Sequence, residues 1–333
     1  MKKGLAPLAL CILVLALSGL PAGSQAAGKA AVREGSISGS GWGSGWIPLS
    51  RNNPVTLQHG LGGDLEEYAL QMWFWDTDDG FGINNRAYGG LEEGGVYYGA
   101  YWQKLTESDV EITRSSGDDF VDEVRIWIWV PGHPPEYCSD WTNIAKGGSV
   151  LFGHNLGGDV DDYVVGLWFE SGNAAYGVNQ HGYGGMEAGE AYMGAWWTDL
   201  TDSEVRVRRA ANDPFADWVR VCVGFAEPTA YDSGWVDVAP DQTLSLQHGL
   251  GHSVSGYVVR MEFKDTAGGG IGIHHENAGG NAVGDSFLGA NWQNLTTSTI
   301  SVYRLQDDAT VDQVRIRIWQ RAFGVYMPVV MRD

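Results

Sequence analysis

The chain has few cysteines, few basic residues and no long apolar run beyond its first twenty residues. It contains three cysteines among 333 residues, and 21 Lys and Arg against 41 Asp and Glu, for a formal net charge of −20. Phosphate groups of nucleic acids and anionic lipids repel so acidic a chain, so we expect no nucleic acid partner. After residue 27 no window offers about 18 apolar residues, so we also expect no membrane insertion. The low charged fraction of 19% and the many aromatic residues argue against disorder and against a coiled coil.

The first 27 residues have the pattern of a secretory signal peptide. Two lysines precede a short apolar run, and Ala26 is a small residue suited to signal peptidase. We therefore predict a secreted protein, extracellular or at the cell surface. In that oxidising compartment Cys138 and Cys222 are expected to form a disulfide, with two buried free thiols as the alternative.

Three copies of one unit make up most of the chain. A shift of about 95 residues superimposes Trp46 on Trp141 and His59 on His154, and a third copy follows with Trp235. Short proline-containing linkers separate the copies, so neighbouring copies should touch. The predicted boundaries are a signal peptide 1–27, a Gly/Ser-rich linker 28–43, repeats 44–130, 137–225 and 231–320, and a tail 321–333.

Each repeat has the pattern of strands and not of helices. Tyr68, Leu70, Met72 and Phe74 alternate with residues of the opposite face, and the other two copies repeat this alternation. About six or seven short strands in about 90 residues favour a sandwich. We therefore predict an all-β protein of three tandem antiparallel β-sandwich repeats. The alternative is a six-bladed propeller with two blades in each repeat, which requires about eight strands per repeat.

Histidines recur at the end of the second strand of each repeat, each followed by x-Leu-Gly: His59, His154 and His248. At the rim of a sandwich such a side chain can bind a sugar hydroxyl. The alternative is a histidine that caps the carbonyl groups of the adjacent loop.

A second recurring set combines one arginine with two aspartates near the end of each repeat. Arg114 and Asp122 face the same side of a hairpin, which suits a structural ion pair. Alternatively, carboxylate oxygens there hold a sugar or a Ca²⁺ ion. The candidate ligands are Asp118, Asp122, Asp213, Asp217, Asp308 and Asp312. Calcium is thus the one cofactor we consider, and we predict none otherwise.

The outward face of the last strand of each repeat carries arginine, and in two copies tryptophan. Exposed Trp beside Arg forms a stacking platform for sugar rings; the alternative is burial between adjacent repeats. The candidate residues are Arg125, Arg220, Arg315, Trp127 and Trp319. Two invariant sets, Trp46 with Trp141 and Trp235, and Trp102 with Trp197 and Trp292, are expected in the core.

The motifs of the repeat resemble a known family. Ser-Gly-Trp begins the first and third copies, Gly-Ala-x-Trp lies in the second half of each copy, and in the first copy Asp-x-Val-Arg-Ile-x-Ile-Trp ends it. This pattern is similar to the H-type lectin domain, which implies a six-stranded sandwich that binds N-acetylgalactosamine-type sugars and assembles as a trimer. Three tandem copies would then mimic that trimer within one chain. The chain is also similar to uncharacterised repeats of secreted bacterial proteins that end in Tyr-x-Pro-Val.

The sequence therefore predicts a secreted, multivalent carbohydrate-binding or adhesion protein whose partners are extracellular glycans or cell-surface components. The alternative is a structural protein of the cell envelope or matrix without a small ligand. No phosphate-binding loop, zinc-binding His-Glu-x-x-His or nucleophile elbow occurs, so we do not expect an enzyme.

Overall fold

Three sandwich-like repeats, each built from two antiparallel sheets, account for the structure. The computed structural model describes residues 35–37, 41–93, 96–131, 134–188, 191–266, 270–283 and 286–320. The predicted signal peptide and C-terminal tail lie outside these residues. Within them, no helix is both long and apolar enough to cross a membrane.

The strands are numbered along the chain, with ten in the described part of each repeat after an initial β1 (Gly35–Ile37). Repeat 1 comprises β2 (Gly41–Gly43), β3 (Ile47–Pro48), β4 (Val55–Gln58), β5 (Ala69–Asp76), β6 (Gly82–Asn84), β7 (Leu91–Glu93), β8 (Val96–Tyr98), β9 (Ala100–Gln103), β10 (Asp109–Arg114) and β11 (Glu123–Trp129). Repeat 2 comprises β12 (Tyr137–Cys138), β13 (Thr142–Asn143), β14 (Ser149–Gly153), β15 (Tyr163–Glu170), β16 (Val178–Asn179), β17 (Met186–Ala188), β18 (Ala191–Met193), β19 (Ala195–Thr198), β20 (Glu204–Arg209) and β21 (Trp218–Phe225). Repeat 3 comprises β22 (Tyr231–Asp232), β23 (Val236–Asp237), β24 (Thr243–Gln247), β25 (Tyr257–Asp265), β26 (Gly272–His274), β27 (Asn281–Val283), β28 (Ser286–Leu288), β29 (Ala290–Gln293), β30 (Thr299–Arg304) and β31 (Gln313–Gln320). One 3₁₀ turn precedes the long strand β5, β15 or β25 of each repeat. These turns lie at Leu65–Glu67, Val160–Asp162 and Val254–Gly256.

The two sheets of a repeat have the same strand order in all three copies. In repeat 1 the larger sheet runs β2-β11-β5-β6, with β3 also beside β11 and β1 beside β2, and the smaller sheet runs β4-β10-β9. Repeat 2 has β12-β21-β15-β16 and β14-β20-β19, and repeat 3 has β22-β31-β25-β26 and β24-β30-β29. The strands β7 and β8, and their counterparts, form a separate hairpin.

The alternating residues that the sequence predicts to face inward are buried in the core. In β5 and the residue before it, Tyr68, Met72 and Phe74 are at most 3% exposed, and Val124 and Ile126 of β11 are fully buried. Alternate side chains of a strand point to one face, so these residues meet the inward side chains of the smaller sheet. The all-β prediction of three tandem sandwich repeats is therefore confirmed.

The strand count and one boundary differ from the prediction. Each repeat has ten short strands and not the predicted six or seven, because glycine-rich segments also form strands, including the hairpin of β7 and β8. Each repeat thus exceeds the strand number that we took as a sign of a propeller, yet its sheets face each other as a sandwich. Within the predicted linker 28–43, Gly35–Ile37 and Gly41–Gly43 pair as strands, and Gly41–Gly43 joins the sheet of repeat 1. Repeat 1 therefore begins before residue 44.

The three repeats close into a ring, because an edge of each one bonds to the next. Backbone bonds join Lys104 N to Tyr176 O (2.8 Å), Asp199 N to Ile271 O (2.9 Å) and Asn294 N to Phe81 O (2.9 Å). These three bonds lie at equivalent positions between repeats 1 and 2, 2 and 3, and 3 and 1. The three repeats are therefore related by threefold pseudosymmetry.

A second set of backbone bonds lies where all three repeats meet. Ala87 N donates to Gly279 O at 2.9 Å, and Gly182 N donates to Gly89 O at 2.8 Å. An equivalent bond closes the circle from repeat 3 to repeat 2. The glycine acceptors have φ near +90°, and a Cβ on Gly279 would lie 2.8 Å from the backbone nitrogen of Tyr88. Only glycine allows the chains to approach this closely.

Cys138 and Cys222 form the disulfide predicted from the sequence. The two residues face each other in the antiparallel pair of β12 and β21. The bridge joins the first and last strands of repeat 2 across a sequence separation of 84 residues.

Candidate binding grooves between the repeats

The outward face of each larger sheet packs against the neighbouring repeat, which defines three interfaces. At seam A the larger sheet of repeat 2 packs against repeat 1, at seam B that of repeat 3 packs against repeat 2, and at seam C that of repeat 1 packs against repeat 3. At seam C, Trp73 and Trp127 are 1% and 2% exposed and belong to the core cluster of repeat 3. Trp73 lies edge-on to Trp292 of that repeat, with ring centroids 5.7 Å apart. Seam C is therefore an aromatic interface.

Seam B has charged side chains at the same positions. Arg317 and Glu262 are 2% and 4% exposed, and their charged atoms lie 3.6 Å apart. Arg317 also donates to the carbonyl oxygen of Tyr163 at 2.6 Å, and Arg260 donates to that of Val165 at 2.7 Å. Burial of such ions is costly unless they are paired and hydrogen-bonded. Arg317 and Arg260 donate hydrogen bonds across the seam, whereas Glu262 Oε1 has no hydrogen-bond partner and burial raises the pKa of Glu262.

The three candidate arginines lie at these seams, where two of them join adjacent repeats. Arg220 donates to the backbone oxygen of Glu66 at 3.0 Å and lies 3.1 Å from its carboxylate at seam A. Arg315 donates to the backbone oxygen of Asp161 at 2.6 Å at seam B. Arg125 instead lies over the ring of Trp127 at 4.1 Å, and desolvation lowers its pKa to about 10.

The candidate tryptophans are not open platforms for a sugar. Trp127 is 2% exposed within seam C, so of the two interpretations burial between repeats describes it. Trp319 is half-buried, and its indole nitrogen donates to the backbone oxygen of Glu227 at 3.0 Å. We correct the stacking role for Trp127, because a sugar ring cannot reach a side chain so buried.

The three histidines lie under the loops that follow them. His59, His154 and His248 are at most 9% exposed, and each ring lies edge-on to a core tyrosine. The Nδ1 atom of His59 accepts from Leu61 N at 3.4 Å, and its Nε2 lies 3.1 Å from Thr106 O. Desolvation lowers the pKa of His59 and of His248. This geometry is that of the alternative interpretation, a ring that holds the loop, and leaves little surface for a ligand.

The first aspartate of each recurring set, which is Asp118, Asp213 or Asp308, forms a structural ion pair with the arginine of that set. Asp118 is fully buried; its carboxylate accepts from Arg114 Nε and from Val121 N, both at 2.9 Å, and from Gly99 N at 2.6 Å. Burial raises the pKa of Asp118, against the opposing effect of Gly99 and Arg114. Asp213 and Asp308, also buried, make the same three kinds of bond. With these oxygens already hydrogen-bonded, we correct the calcium and sugar roles suggested for them.

The second aspartate of each recurring set, which is Asp122, Asp217 or Asp312, bonds to groups around it. Asp122 accepts from the backbone and hydroxyl of Thr77 at 2.8 and 2.7 Å, and Asp312 accepts likewise from Thr266. Asp217 bonds Arg209 at 2.9 Å. Burial opposes ionisation of Asp122, but the bonds from Thr77 outweigh it and lower its pKa. These contacts fit the structural ion-pair interpretation and do not form a cation cage.

One acidic cluster has metal-like spacing in the described part of the chain. Oxygens of Asp76, Asp78 and Asp79 lie within 4.8 Å of one another. Asp76 is already bonded to the backbone nitrogens of Asp78, Asp79 and Phe81. Repeat 3 keeps an aspartate, Asp265, at the position of Asp76, but repeats 2 and 3 lack the other two acids, so the cluster is not a feature of the repeat.

An open groove lies at seam A, around Trp141. The cavity, of about 650 Å³, lies between the 3₁₀ turn of repeat 1 and the larger sheet of repeat 2. Its lining comprises Gly63, Asp64, Leu65, Glu66, Glu107, Trp141, Glu170 and Val178. Trp141 is half-buried, so part of its ring is accessible in the groove. The groove is therefore lined by one half-buried tryptophan and four acidic residues.

The equivalent tryptophans lie in the same place at the other seams but are engaged differently. Trp235 donates to the carboxylate of Asp161 at 2.9 Å, and Lys264 lies 5.2 Å above its ring. Trp46 lies against Trp75, with centroids 5.4 Å apart. We expected this set in the core, and that prediction is wrong: all three are half-buried at seams. By contrast Trp102 and its two counterparts are at most 2% exposed, as predicted.

Sequence reasoning therefore missed the residues that line the groove. Their one signal was the position of Trp141 beside the short linker between repeats, where a neighbouring repeat has to lie. No family model matches the chain, and no curated protein or solved structure is significantly similar to it.

Proposed function

We propose that the protein is a secreted carbohydrate-binding or adhesion protein, and that the groove at seam A is its principal sugar site. The carrying observation is the accessible indole of Trp141 in a cavity of about 650 Å³ lined by carboxylates. Sugar rings present an apolar face of C–H groups and an edge of hydroxyls. An aromatic face with hydrogen-bond acceptors around it matches both.

The charge of the groove narrows the class of sugar. Asp64, Glu66, Glu107 and Glu170 line it, and Arg220 is the cation bonded to one of them. Carboxylates accept strong hydrogen bonds from hydroxyl and ammonium donors and repel anions. Neutral or amine-bearing sugars therefore suit this groove, and acidic sugars do not.

The tryptophans equivalent to Trp141 are engaged differently at the other two seams, so the three seams would not bind a sugar equally. At seam B the nitrogen of Trp235 is already bonded to Asp161, and at seam C Trp46 is covered by Trp75. The closed ring of three repeats supports the H-type lectin-like proposal as far as architecture goes. Architecture alone does not determine function, and the proposal depends on the groove.

A glycan array on residues 28–333, with calcium and with chelator, tests the proposal. Trp141→Ala should weaken binding to any glycan found by about tenfold, since stacking on one aromatic ring contributes about 1–2 kcal/mol. Trp235→Ala is the matched control, because it removes the equivalent tryptophan where the indole is already engaged. Binding that is equal in wild type and Trp141→Ala contradicts the site, and chelator sensitivity would add a calcium requirement.

The second candidate is a structural protein of the envelope or matrix without a small ligand. It is favoured by the burial of Trp73 and Trp127 inside seam C, which removes two aromatic surfaces from any ligand. An array that remains silent in both conditions, together with self-association at low protein concentration, would make this the better account.

A further inference from the structure

A second cavity, at seam C, contains a cation without an anionic partner. Arg86 of repeat 1 has its guanidinium carbon 4.3 Å from the ring centre of Phe81 and 4.4 Å from that of Phe120. Two aromatic rings therefore hold the guanidinium in place through cation–π contacts. Among the residues that the structure describes, no carboxylate lies within 4 Å of it and no oxygen accepts a hydrogen bond from it. In a chain with twice as many acids as bases, this is unusual.

The cavity around Arg86 has a volume of about 380 Å³ and is lined mainly by neutral polar groups. Repeat 1 contributes Phe81 and Arg86, and repeat 3 contributes Thr243, Gln293, Tyr303, Leu305 and Gln306. The hydroxyl of Tyr303 donates to Asp241 at 2.9 Å, and the amide of Gln306 donates to Asp307 at 3.2 Å. Desolvation lowers the pKa of Arg86, but the group remains a cation at neutral pH. A ligand would thus meet one fixed cation and several hydroxyl and amide groups.

The equivalent positions at the other seams carry no such cation. His181 of repeat 2 is covered by Tyr101 and Phe215, with ring centroids 3.9 and 3.6 Å away. Glu276 of repeat 3 has its pKa raised to about 7 by burial. Because the position holds Arg, His and Glu in turn, the fold of the repeat does not require an arginine there.

We propose that this cavity binds the carboxylate of an acidic sugar, a uronate, through the guanidinium of Arg86. The planar guanidinium presents paired N–H donors that match the two oxygens of a carboxylate. The hydroxyl of Thr243 and the amides of Gln293 and Gln306 then bond the hydroxyls of the sugar ring. The sugar part of the ligand rests on the proposed glycan binding, whereas recognition of the carboxylate rests on this cavity alone. Seams A and C would thus select sugars of different charge.

The test uses a trisaccharide of galacturonic acid and its methyl ester, titrated calorimetrically into the mature chain at low ionic strength. The ester keeps the sugar and removes the charge. Wild type should bind the acid at least tenfold more tightly than the ester, and added salt should reduce that preference. Arg86→Gln should abolish the preference, and Arg86→Lys should restore part of it. Arg51→Gln is the matched control, since Arg51 pairs with Asp119 on the surface outside the cavity.

The outcomes separate this proposal from the previous one. A wild-type protein without preference for the acid, or an Arg86→Gln protein that keeps the preference, overturns the carboxylate site. Loss of neutral-glycan binding in Trp141→Ala with the acid preference unchanged supports both sites. If Arg86→Gln fails to fold by its thermal transition, Gln306→Glu places an anion in the cavity without altering the cation–π contacts. It should then remove the preference.

Discussion

Replacing Trp73 with alanine tests whether repeats 1 and 3 are joined through seam C. Trp73 is 1% exposed and lies edge-on to Trp127 at 4.6 Å and to Trp292 at 5.7 Å. It stands on the outward face of the sheet of repeat 1, so its burial comes from the neighbouring repeat. The substitution therefore removes the contact with Trp292, which exists only in the closed ring, together with the contact with Trp127 of its own repeat.

The cost can be estimated from the structure. A buried Trp→Ala substitution removes about 3–5 kcal/mol, through lost transfer free energy and the cavity that remains. If all three repeats unfold together, a loss of about 4 kcal/mol lowers the melting temperature by roughly 8 °C. If a repeat of about 90 residues unfolds alone, the same loss lowers its transition by roughly 16 °C or more and separates it from the others.

Scanning calorimetry distinguishes these cases, and Trp75→Ala provides the control. Trp75 lies on the same strand but is 37% exposed, so its removal should cost about 1 kcal/mol. A Trp73→Ala protein that melts within about 2 °C of Trp75→Ala would show that seam C contributes little, and would refute this reasoning.

Three further predictions concern the interior of the repeats. Asp213→Asn removes the buried anion of Arg209, leaves it only the partly exposed Asp217, and should cost about 3–5 kcal/mol in urea unfolding. Asp217→Asn, at a partner that is 33% exposed, should cost about 1 kcal/mol or less, and equal losses would contradict this. Reducing the disulfide of repeat 2, which spans 84 residues, should lower the free energy of unfolding by up to about 4.5 kcal/mol, and an unchanged urea midpoint would count against that. Burial lowers the pKa of His181 from 6.5 to about 3, so the folded state disfavours the added proton. As the pH falls below 6.5 toward 3, His181 gains a proton in the unfolded state but not in the folded state, so the free energy of unfolding decreases. The decrease is about 2.7 kcal/mol at pH 4.5. His181→Phe should reduce this acid loss in denaturant titrations at several pH values, and an unaltered pH slope would rule it out.

Much of the fold follows from period-two patterns that the sequence displays three times. The alternation from Tyr68 to Phe74 predicts a half-buried strand, and Trp102 is in the core as expected. The disulfide follows from two cysteines in a chain with a secretory signal pattern. These features are local, or depend on residues within one repeat.

The candidate sites could not be placed because they depend on how the repeats meet. The outward face that holds Trp127 has the same alternation whether it faces water or another repeat. Trp141 was expected in the core of repeat 2, but because repeat 1 lies beside it, it lines a groove between the two repeats. Arg86 could have been noticed as a variable position, with His181 and Glu276 in the other copies, but the flanking Phe120 is brought to it only by the fold.

The differing chemistry of the three seams has a consequence for how such a ring is specified. In a homotrimer, rotation maps every interface onto the next, so one set of residues has to serve all three. In this chain the equivalent positions are Trp73, Trp168 and Glu262. Trp73 meets Trp292 of repeat 3 and Trp168 meets Trp102 of repeat 1, whereas Glu262 is paired with Arg317 of its own repeat, which donates to the Tyr163 carbonyl of repeat 2. Exchanging two repeats would place the charged face of repeat 3, with Glu262 and Arg317, against repeat 1 instead of repeat 2. The circular order of the repeats is thus encoded twice, once in the covalent linkers and once in the faces that meet.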